Sequence, residues 1–127
     1  MVDLNLRRSG ILLPLFSLPG STGIGTMGEF AYNFVDILKK SGQTYWQLLP
    51  LGVTDKGNSP YQCFSSNAGN PLFIDFDILW KRGFLNKRDF SAFVRDGDES
   101  RINYRRIYKE RAAVFNRLYE SFKKNIP

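Results

Sequence analysis

Two apolar segments on either side of an amphipathic segment constrain the fold of this chain more than any other feature. Residues 10–16 and 45–51 are nearly continuous runs of apolar side chains, which is typical of strands buried on both faces of a parallel sheet. Between them, apolar side chains recur at helical spacing, at Phe30, Phe34, Ile37 and Leu38. The order strand, helix, strand predicts a right-handed βαβ unit.

Local signals predict where the helices begin and end. Thr26 opens an S/T-x-x-E sequence, the pattern of a capping box, and Gly42 is a suitable residue just past the end of the same helix. Residues 72–76 are apolar enough to predict a third short extended segment. Further along the chain, Asn86 is predicted to cap a short helix with Phe90, Phe93 and Val94 facing inward. Asn103 is predicted to cap a longer helix.

Composition narrows the classes of function. The 127 residues fit one domain and contain no histidine, which excludes Ser-His-Asp and Cys-His catalysis. The single cysteine, Cys63, excludes an internal disulfide, removes the usual zinc sites and suits a reducing compartment. No apolar run approaches the roughly 20 residues of a membrane span. We therefore predict a cytoplasmic protein with no membrane partner, no metal and no cofactor.

Positive charge is concentrated in the second part of the chain. Residues 81–127 carry 13 Lys and Arg against 6 Asp and Glu, whereas residues 1–80 carry 5 against 6. A basic segment is one signature of nucleic-acid binding. The charges recur at helical spacing, however, which favours solvated helix faces. We predict no nucleic-acid partner, and keep a small basic nucleotide- or nucleic-acid-binding protein as the alternative function.

Two further motifs have both a functional and a structural interpretation. Residues 23–28 spell G-x-G-x-x-G, the dinucleotide-binding fingerprint. Six residues separate this motif from the preceding strand, and no acidic residue follows about 20 positions later, so the context argues against nucleotide binding. Asp75 and Asp77 form an i, i+2 pair that could serve acid–base catalysis on a glycosidic bond. Capping or orientation of the backbone is the favoured interpretation of this pair.

The 58–71 segment is the main candidate for a binding site. It is longer than the roughly 4–6 residues of most connections, and such loops tend to be functional or disordered. Its aromatic and amide residues argue against disorder. Tyr61 can stack on a sugar ring, while neutral donors and acceptors that suit hydroxyl-rich ligands are supplied by Ser59, Gln62, Asn67 and Asn70. These residues alone leave a carbohydrate site and a merely packed loop both open.

Six short motifs in the first part of the chain together resemble a known family. They occur in order at residues 9–13 (SGILL), 17–20 (SLPG), 23–25 (GIG), 45–52 (YWQLLPLG), 59–62 (SPYQ) and 68–71 (AGNP). The sequence resembles the N-terminal part of 4-α-glucanotransferases, also called amylomaltase or disproportionating enzyme. The resemblance covers roughly residues 8–85.

The resemblance implies an α/β fold, the N-terminal portion of a (β/α)₈ TIM-type barrel. Residues 1–127 would form two or three parallel strands with helices, residues 81–127 being a basic helical segment, and the barrel would not be complete in this chain. It implies transfer of α-1,4-glucan segments with retention, with α-1,4-glucans and the remaining C-terminal part of the barrel as partners. Tyr61 matches the family's tyrosine at the donor-sugar site, with Ser59 beside it. Lys56 stands where some relatives place a tyrosine in a secondary glucan groove. No catalytic carboxylate is matched, so we predict an N-terminal fragment that is inactive alone.

Overall fold

The structure is a computed structural model that describes residues 7–93 and 101–125. It contains a parallel pair of strands joined by a helix, followed by three more helices. The elements are β1 (Gly10–Leu12), α1 (Glu29–Lys40), β2 (Tyr45–Gln47), α2 (Phe76–Lys81), α3 (Lys87–Ser91) and α4 (Tyr104–Asn125). The strands pair in parallel, with Ile11 opposite Trp46. The predicted strand–helix–strand order with parallel strands is therefore confirmed.

Both strands are shorter and more exposed than predicted. β1 ends two residues before Pro14 and β2 three residues before Pro50, and proline cannot donate to a ladder. The prediction that the strands are buried on both faces is wrong for the described chain, because Leu12 is 55% exposed and Tyr45 is 51% exposed. The sheet has two strands in this part of the chain, and an open groove of about 490 Å³ runs along both of them.

Helix α1 covers the other side of the sheet. Its buried residues are Ala31 and Leu38, and the ring of Phe34 packs edge-on against Trp46 at a centroid distance of 4.9 Å. The predicted apolar stripe is therefore only partly correct. Phe30 is 48% exposed and Ile37 is 56% exposed, because the face of α1 that turns inward is centred on positions 31, 34 and 38.

The predicted capping box at Thr26 is wrong. Helix α1 begins at Glu29 with Gly28 as the N-cap residue and no side-chain cap. The hydroxyl of Thr26 instead donates to Oδ2 of Asp75 at 2.5 Å. A buried hydroxyl needs a partner, and this partner comes from a distant segment of the chain.

The predicted third extended segment, residues 72–76, is also wrong. A 3₁₀ turn occupies Pro71–Phe73, and α2 begins at Phe76. Two side chains explain the difference. Oδ1 of Asn70 accepts from the amide of Leu72 at 3.0 Å, and Oδ1 of Asp75 accepts from the amide of Ile78 at 2.8 Å. Each caps a helical turn that the apolar pattern did not indicate.

The two remaining caps are confirmed. Oδ1 of Asn86 accepts from the amide of Asp89 at 2.8 Å, and Oδ1 of Asn103 accepts from the amide of Arg106 at 3.1 Å. Phe93 is buried as predicted, whereas the prediction for Val94 lies outside the described residues.

Two hydrophobic clusters form the core of the described chain. The first lies beneath the loops that follow the strands and contains Leu15, Leu18, Ile24, Ala31, Leu72, Phe73 and Ile107. The second lies among the helices and contains Phe76, Leu85, Phe93, Val114 and Leu118. Helix α4 contributes to both clusters, so it joins the strand region to the helical region. Among the described helices, none has the combination of length and apolar character that crossing a membrane requires.

Candidate functional site

The carboxyl ends of both strands lie at the same edge of the sheet, and the two loops that follow them contact each other there. The amide of Met27, in the loop after β1, donates to the carbonyl of Phe73 at 2.9 Å. In open parallel sheets, ligands bind beside the carboxyl ends of the strands. This edge is therefore where the structure can form a ligand site.

The loop after β2 is an ordered lobe formed by residues 52–69. Two antiparallel bridges pair its two legs, Gly52 with Gly69 and Thr54 with Cys63. The amide of Phe64 also donates to the carbonyl of Val53 at 2.9 Å. Most of the 58–71 segment that the sequence singled out thus lies in a lobe whose chain folds back on itself. The tip of the lobe is the stretch of chain that connects the two legs.

A tight turn forms the tip of the 52–69 lobe. Oδ1 of Asp55 accepts from the amide of Gly57 at 2.8 Å, and the carbonyl of Asp55 accepts from the amide of Asn58 at 3.1 Å. Asn58 has a φ of 54°, a left-handed conformation that asparagine tolerates better than most residues. The tip is therefore shaped by local side-chain-to-backbone bonds.

Tyr61 lies on the surface of this lobe. Its side chain is 74% exposed, and that of Phe64 is 76% exposed. A turn closes around Tyr61, since the amide of Gln62 donates to the carbonyl of Ser59 at 3.0 Å. The structure thus brings Ser59, Tyr61 and Gln62 together on one turn and leaves two aromatic rings open to solvent. Exposed rings of this kind provide a stacking surface for a flat apolar ligand face.

Asn70, the fourth predicted site residue, is placed differently. It is 8% exposed. Its side chain caps the 3₁₀ turn as described above, and its backbone amide donates to the carbonyl of Leu51 at 2.8 Å. It lines an open cleft of about 360 Å³ together with Leu51, Phe73 and Asp75. In the described chain Asn70 closes the 52–69 lobe onto Leu51, in the segment that follows β2, and its predicted contact with a ligand stays a prediction.

The acidic pair binds backbone and hydroxyl groups. Besides the contacts described above for Asp75, Oδ2 of Asp77 accepts from the hydroxyl of Ser21 at 2.6 Å. Both carboxylates therefore tie the start of α2 to the loop after β1. This arrangement agrees with the structural interpretation of the pair.

The glycine motif also has a packing explanation. A Cβ on Gly25 would lie 2.1 Å from the carbonyl oxygen of Leu15, and a Cβ on Gly28 would lie 1.9 Å from Oδ2 of Asp75. At Gly25 a side chain would overlap backbone, and at Gly28 it would displace the carboxylate that caps α2. These two glycines are thus required by the close approach of the chain to itself.

Sequence reasoning missed an open cleft of about 640 Å³. It lies between the loop after β1 and the start of α4, and its lining includes Ser17, Gly20, Arg101, Ile102 and Tyr104. Burial, and then the charge of Tyr108, raise the pKa of the Tyr104 phenol. The walls of this cleft come from two segments that are far apart in the sequence, residues 16–24 and 101–104, so no local pattern could have indicated it.

Sequence reasoning also missed the role of Arg111. The structure buries this residue of α4 to 2% exposure. Burial lowers the pKa of the guanidinium to about 10, against an opposing effect of Asp75, so the group remains charged at neutral pH. The only sequence signal is an arginine four residues after Ile107 on an apolar helix face.

Several charges of the basic segment are paired within the chain. Arg117 contacts Asp89 at 2.8 Å, Lys81 contacts Glu29 at 3.2 Å, and Arg111 lies in the interior. The described residues contain no group of three or more His, Cys, Asp or Glu placed to hold a metal ion. The exposed side chains of Arg117 and Lys81 agree with the interpretation as helix-face charges, whereas the buried Arg111 does not.

Parallel strands with long loops at their carboxyl edge define this chain as an α/β protein, a class in which ligands bind beside that edge. A family model described as 4-alpha-glucanotransferase matches residues 13–127. The chain belongs to the 4-alpha-glucanotransferase family.

Individual relatives agree with this assignment. The chain is 46% identical over 116 residues to a 4-alpha-glucanotransferase of Streptococcus pneumoniae, a match that covers 91% of this chain and 23% of the relative. It is 50% identical over 106 residues to that of Clostridium butyricum, covering 84% of this chain and 22% of the relative.

A solved structure has the same fold in the matched region. This is the amylomaltase from Streptococcus agalactiae in complex with acarbose, with a TM-score of 0.86 and 43% identity. The match covers 94% of this chain and 24% of that protein. This chain therefore spans under a quarter of the length of these three relatives.

Proposed function

We propose that residues 1–127 form the N-terminal part of the (β/α)₈ barrel of a 4-α-glucanotransferase, with 81–127 as a basic helical segment of the same unit. The parallel strand pair, covered by α1 on one side and open on the other, supports this proposal. In a closed barrel the open side and the free strand edges would be covered by further strands. The polypeptide that carries those strands is then the partner of this chain.

The proposed reaction is transfer of an α-1,4-glucan segment to the 4-hydroxyl of another glucan. In a retaining mechanism, a carboxylate attacks the anomeric carbon while a second carboxyl group protonates the departing oxygen. The acceptor hydroxyl then displaces the enzyme carboxylate and gives its proton to the same acid/base group. The resemblance transfers none of these carboxylates to a residue of this chain, so the contribution of this chain is sugar binding.

The observation that carries the proposal is the position of Tyr61, 74% exposed on an ordered lobe at the carboxyl edge of the strands. A glucose ring can lay its C–H face on the phenol ring, and the phenol hydroxyl can hydrogen-bond a sugar hydroxyl. Ser59 and Gln62, on the same turn, and Asn70 at the base of the lobe are the other proposed contacts. The amylomaltase of S. agalactiae was solved with acarbose bound, which supports an oligosaccharide as the ligand class.

The binding claim is tested by titrating maltoheptaose and acarbose against the chain, with saturation-transfer NMR as the readout. Tyr61→Ala is expected to weaken binding by about 5- to 150-fold, because stacking on an aromatic ring contributes roughly 1–3 kcal/mol. Tyr32→Ala is the matched control, since Tyr32 is 66% exposed on α1, and it is expected to bind as the unchanged chain does. Equal affinity in the two variants would remove Tyr61 from the site.

The same titration examines the alternative function. Duplex DNA and NAD are added in parallel, and we expect no saturable response to either. Tight binding of DNA with a steep salt dependence would favour a nucleic-acid-binding protein.

The cytoplasmic location indicated by the cysteine content stays a prediction.

A further inference from the structure

The guanidinium of Arg111 joins three segments of the chain. Nη1 donates to the carbonyl of Leu72 at 2.7 Å and to the carbonyl of Ile74 at 3.1 Å. Nη2 donates to the hydroxyl of Thr22 at 2.7 Å. The group also lies over the ring of Phe76, 4.5 Å from its centroid. One side chain of α4 thus holds the loops that follow β1 and β2.

Burial of the Arg111 cation carries a free-energy cost. Removing a charge from water is strongly unfavourable unless hydrogen bonds and opposite charge offset the loss. The three hydrogen-bond acceptors of Arg111 are neutral groups, two carbonyls and one hydroxyl. An apolar side chain of similar length would pack against Phe76 without this cost. The arginine adds directional hydrogen bonds, which hold three oxygen atoms in a fixed relative position.

The positions of these oxygens connect Arg111 to the candidate site. The carbonyls of Leu72 and Ile74 flank Phe73, the last residue of the 3₁₀ turn that Asn70 caps. Asn70 in turn closes the 52–69 lobe onto Leu51. Thr22 lies in the loop that packs against this turn. The rigidity of the base of the lobe therefore depends on groups that the guanidinium holds.

We propose that Arg111 is a positioning residue, which fixes the 70–74 base of the 52–69 lobe against the loop after β1 and so sets where Tyr61 meets a glucan. This inference rests on the proposed function. Arg111 itself does not touch the ligand in this proposal. It acts through the turn of residues 71–73.

The competing explanation is that Arg111 only stabilises the fold. Val114 provides the matched control, because it lies three residues further along the same helix face and is 1% exposed. It packs in the cluster that contains Phe76 and Leu118, and it takes no part in the hydrogen bonds of Arg111. Val114→Ala weakens the packing of α4 by leaving a cavity, while the side chain of Arg111 and its three hydrogen-bond acceptors are all retained.

The first test is hydrogen exchange by mass spectrometry on the full chain and on Arg111→Met, Arg111→Lys and Val114→Ala. The exchange rate of the 70–74 amides is divided by the exchange rate of the α1 amides, so that the contribution of global unfolding cancels in the ratio. We expect Arg111→Met to raise this ratio at least tenfold, Arg111→Lys to raise it less, and Val114→Ala to leave it unchanged. A ratio in Arg111→Met equal to that in Val114→Ala would overturn the proposal. If Arg111→Met does not fold, the ratio in Arg111→Lys decides in the same way.

The second test is the affinity of each variant for maltoheptaose, measured under conditions in which every variant is folded. We expect about a tenfold loss in Arg111→Met, a smaller loss in Arg111→Lys and no loss in Val114→Ala. Unchanged affinity in Arg111→Met beside normal binding by the parent chain would overturn the positioning role and leave the proposed function intact. Failure of the parent chain to bind would instead count against the proposed sugar site, and the exchange ratio would still decide whether Arg111 holds the lobe.

Discussion

At the scale of single residues, Asp75 illustrates how polar side chains organise this chain. One carboxylate oxygen caps α2 through Ile78, and the other accepts from Thr26. Gly28 leaves room for the same carboxylate, since a Cβ there would overlap it. One side chain therefore fixes the start of α2 relative to the segment that leads into α1.

Replacing Asp75 with alanine is expected to lower the free energy of unfolding by about 2–3 kcal/mol. The loss combines a helix cap, worth ~1 kcal/mol, with a buried hydroxyl on Thr26 that loses its partner. Urea unfolding followed by tryptophan fluorescence measures the change. Asp36→Ala, at an exposed position of α1, is the control and is expected to stay within about 0.5 kcal/mol of the parent. Similar losses in both variants would contradict the role assigned to Asp75.

At the scale of elements, the loops after the strands are held by close backbone approach. The amide of Gly25 donates to the carbonyl of Phe16 at 3.3 Å, and the chain at Gly25 leaves no room for a side chain beside Leu15. These contacts fold the loop after β1 into the first hydrophobic cluster through Leu18 and Ile24. Gly25 therefore serves packing within the loop that follows β1.

Gly25→Ala is expected to destabilise the chain by roughly 1–3 kcal/mol or more, because the added methyl group forces the backbone apart. Gly69→Ala is the control, since a Cβ there has open space within 4 Å. Thermal unfolding of the two variants measures the difference. If the motif instead served a nucleotide, Gly25→Ala would fold with normal stability and would lose only ligand binding, which would contradict the packing account.

Elements set by local chemistry were predictable from the sequence, and those set by distant partners were not. The caps at Asn86 and Asn103 depend on amides three residues away, so the sequence placed both helices. Thr26 has a capping pattern, but its hydroxyl bonds to Asp75, 49 positions along the chain. Tyr61 was singled out as a candidate through its chemistry and its motif, and its contact with a sugar stays a prediction. Arg111 was not, because its partners are 37 to 89 positions away.

At the scale of the whole molecule, the described chain has two hydrophobic clusters and one uncovered sheet face. Helix α4 joins the clusters through Ile107 and Val114. The uncovered face and the residues of the candidate sugar site belong to a chain that spans 24% of the S. agalactiae amylomaltase. We therefore propose that this chain supplies part of the sugar-binding surface and that the catalytic carboxylates lie elsewhere in the proposed barrel.

The most direct test of this account replaces the matching segment of the S. agalactiae amylomaltase with this chain and measures disproportionation of maltotriose. The account predicts that the chimera is active, that the 127-residue chain alone is inactive, and that Tyr61→Ala in the chimera lowers kcat/KM by about 5- to 150-fold, the equivalent of roughly 1–3 kcal/mol of lost stacking. Tyr32→Ala in the chimera is expected to leave kcat/KM unchanged. A folded but inactive chimera, activity of the chain alone, or unchanged kinetics in the Tyr61→Ala chimera would contradict the account.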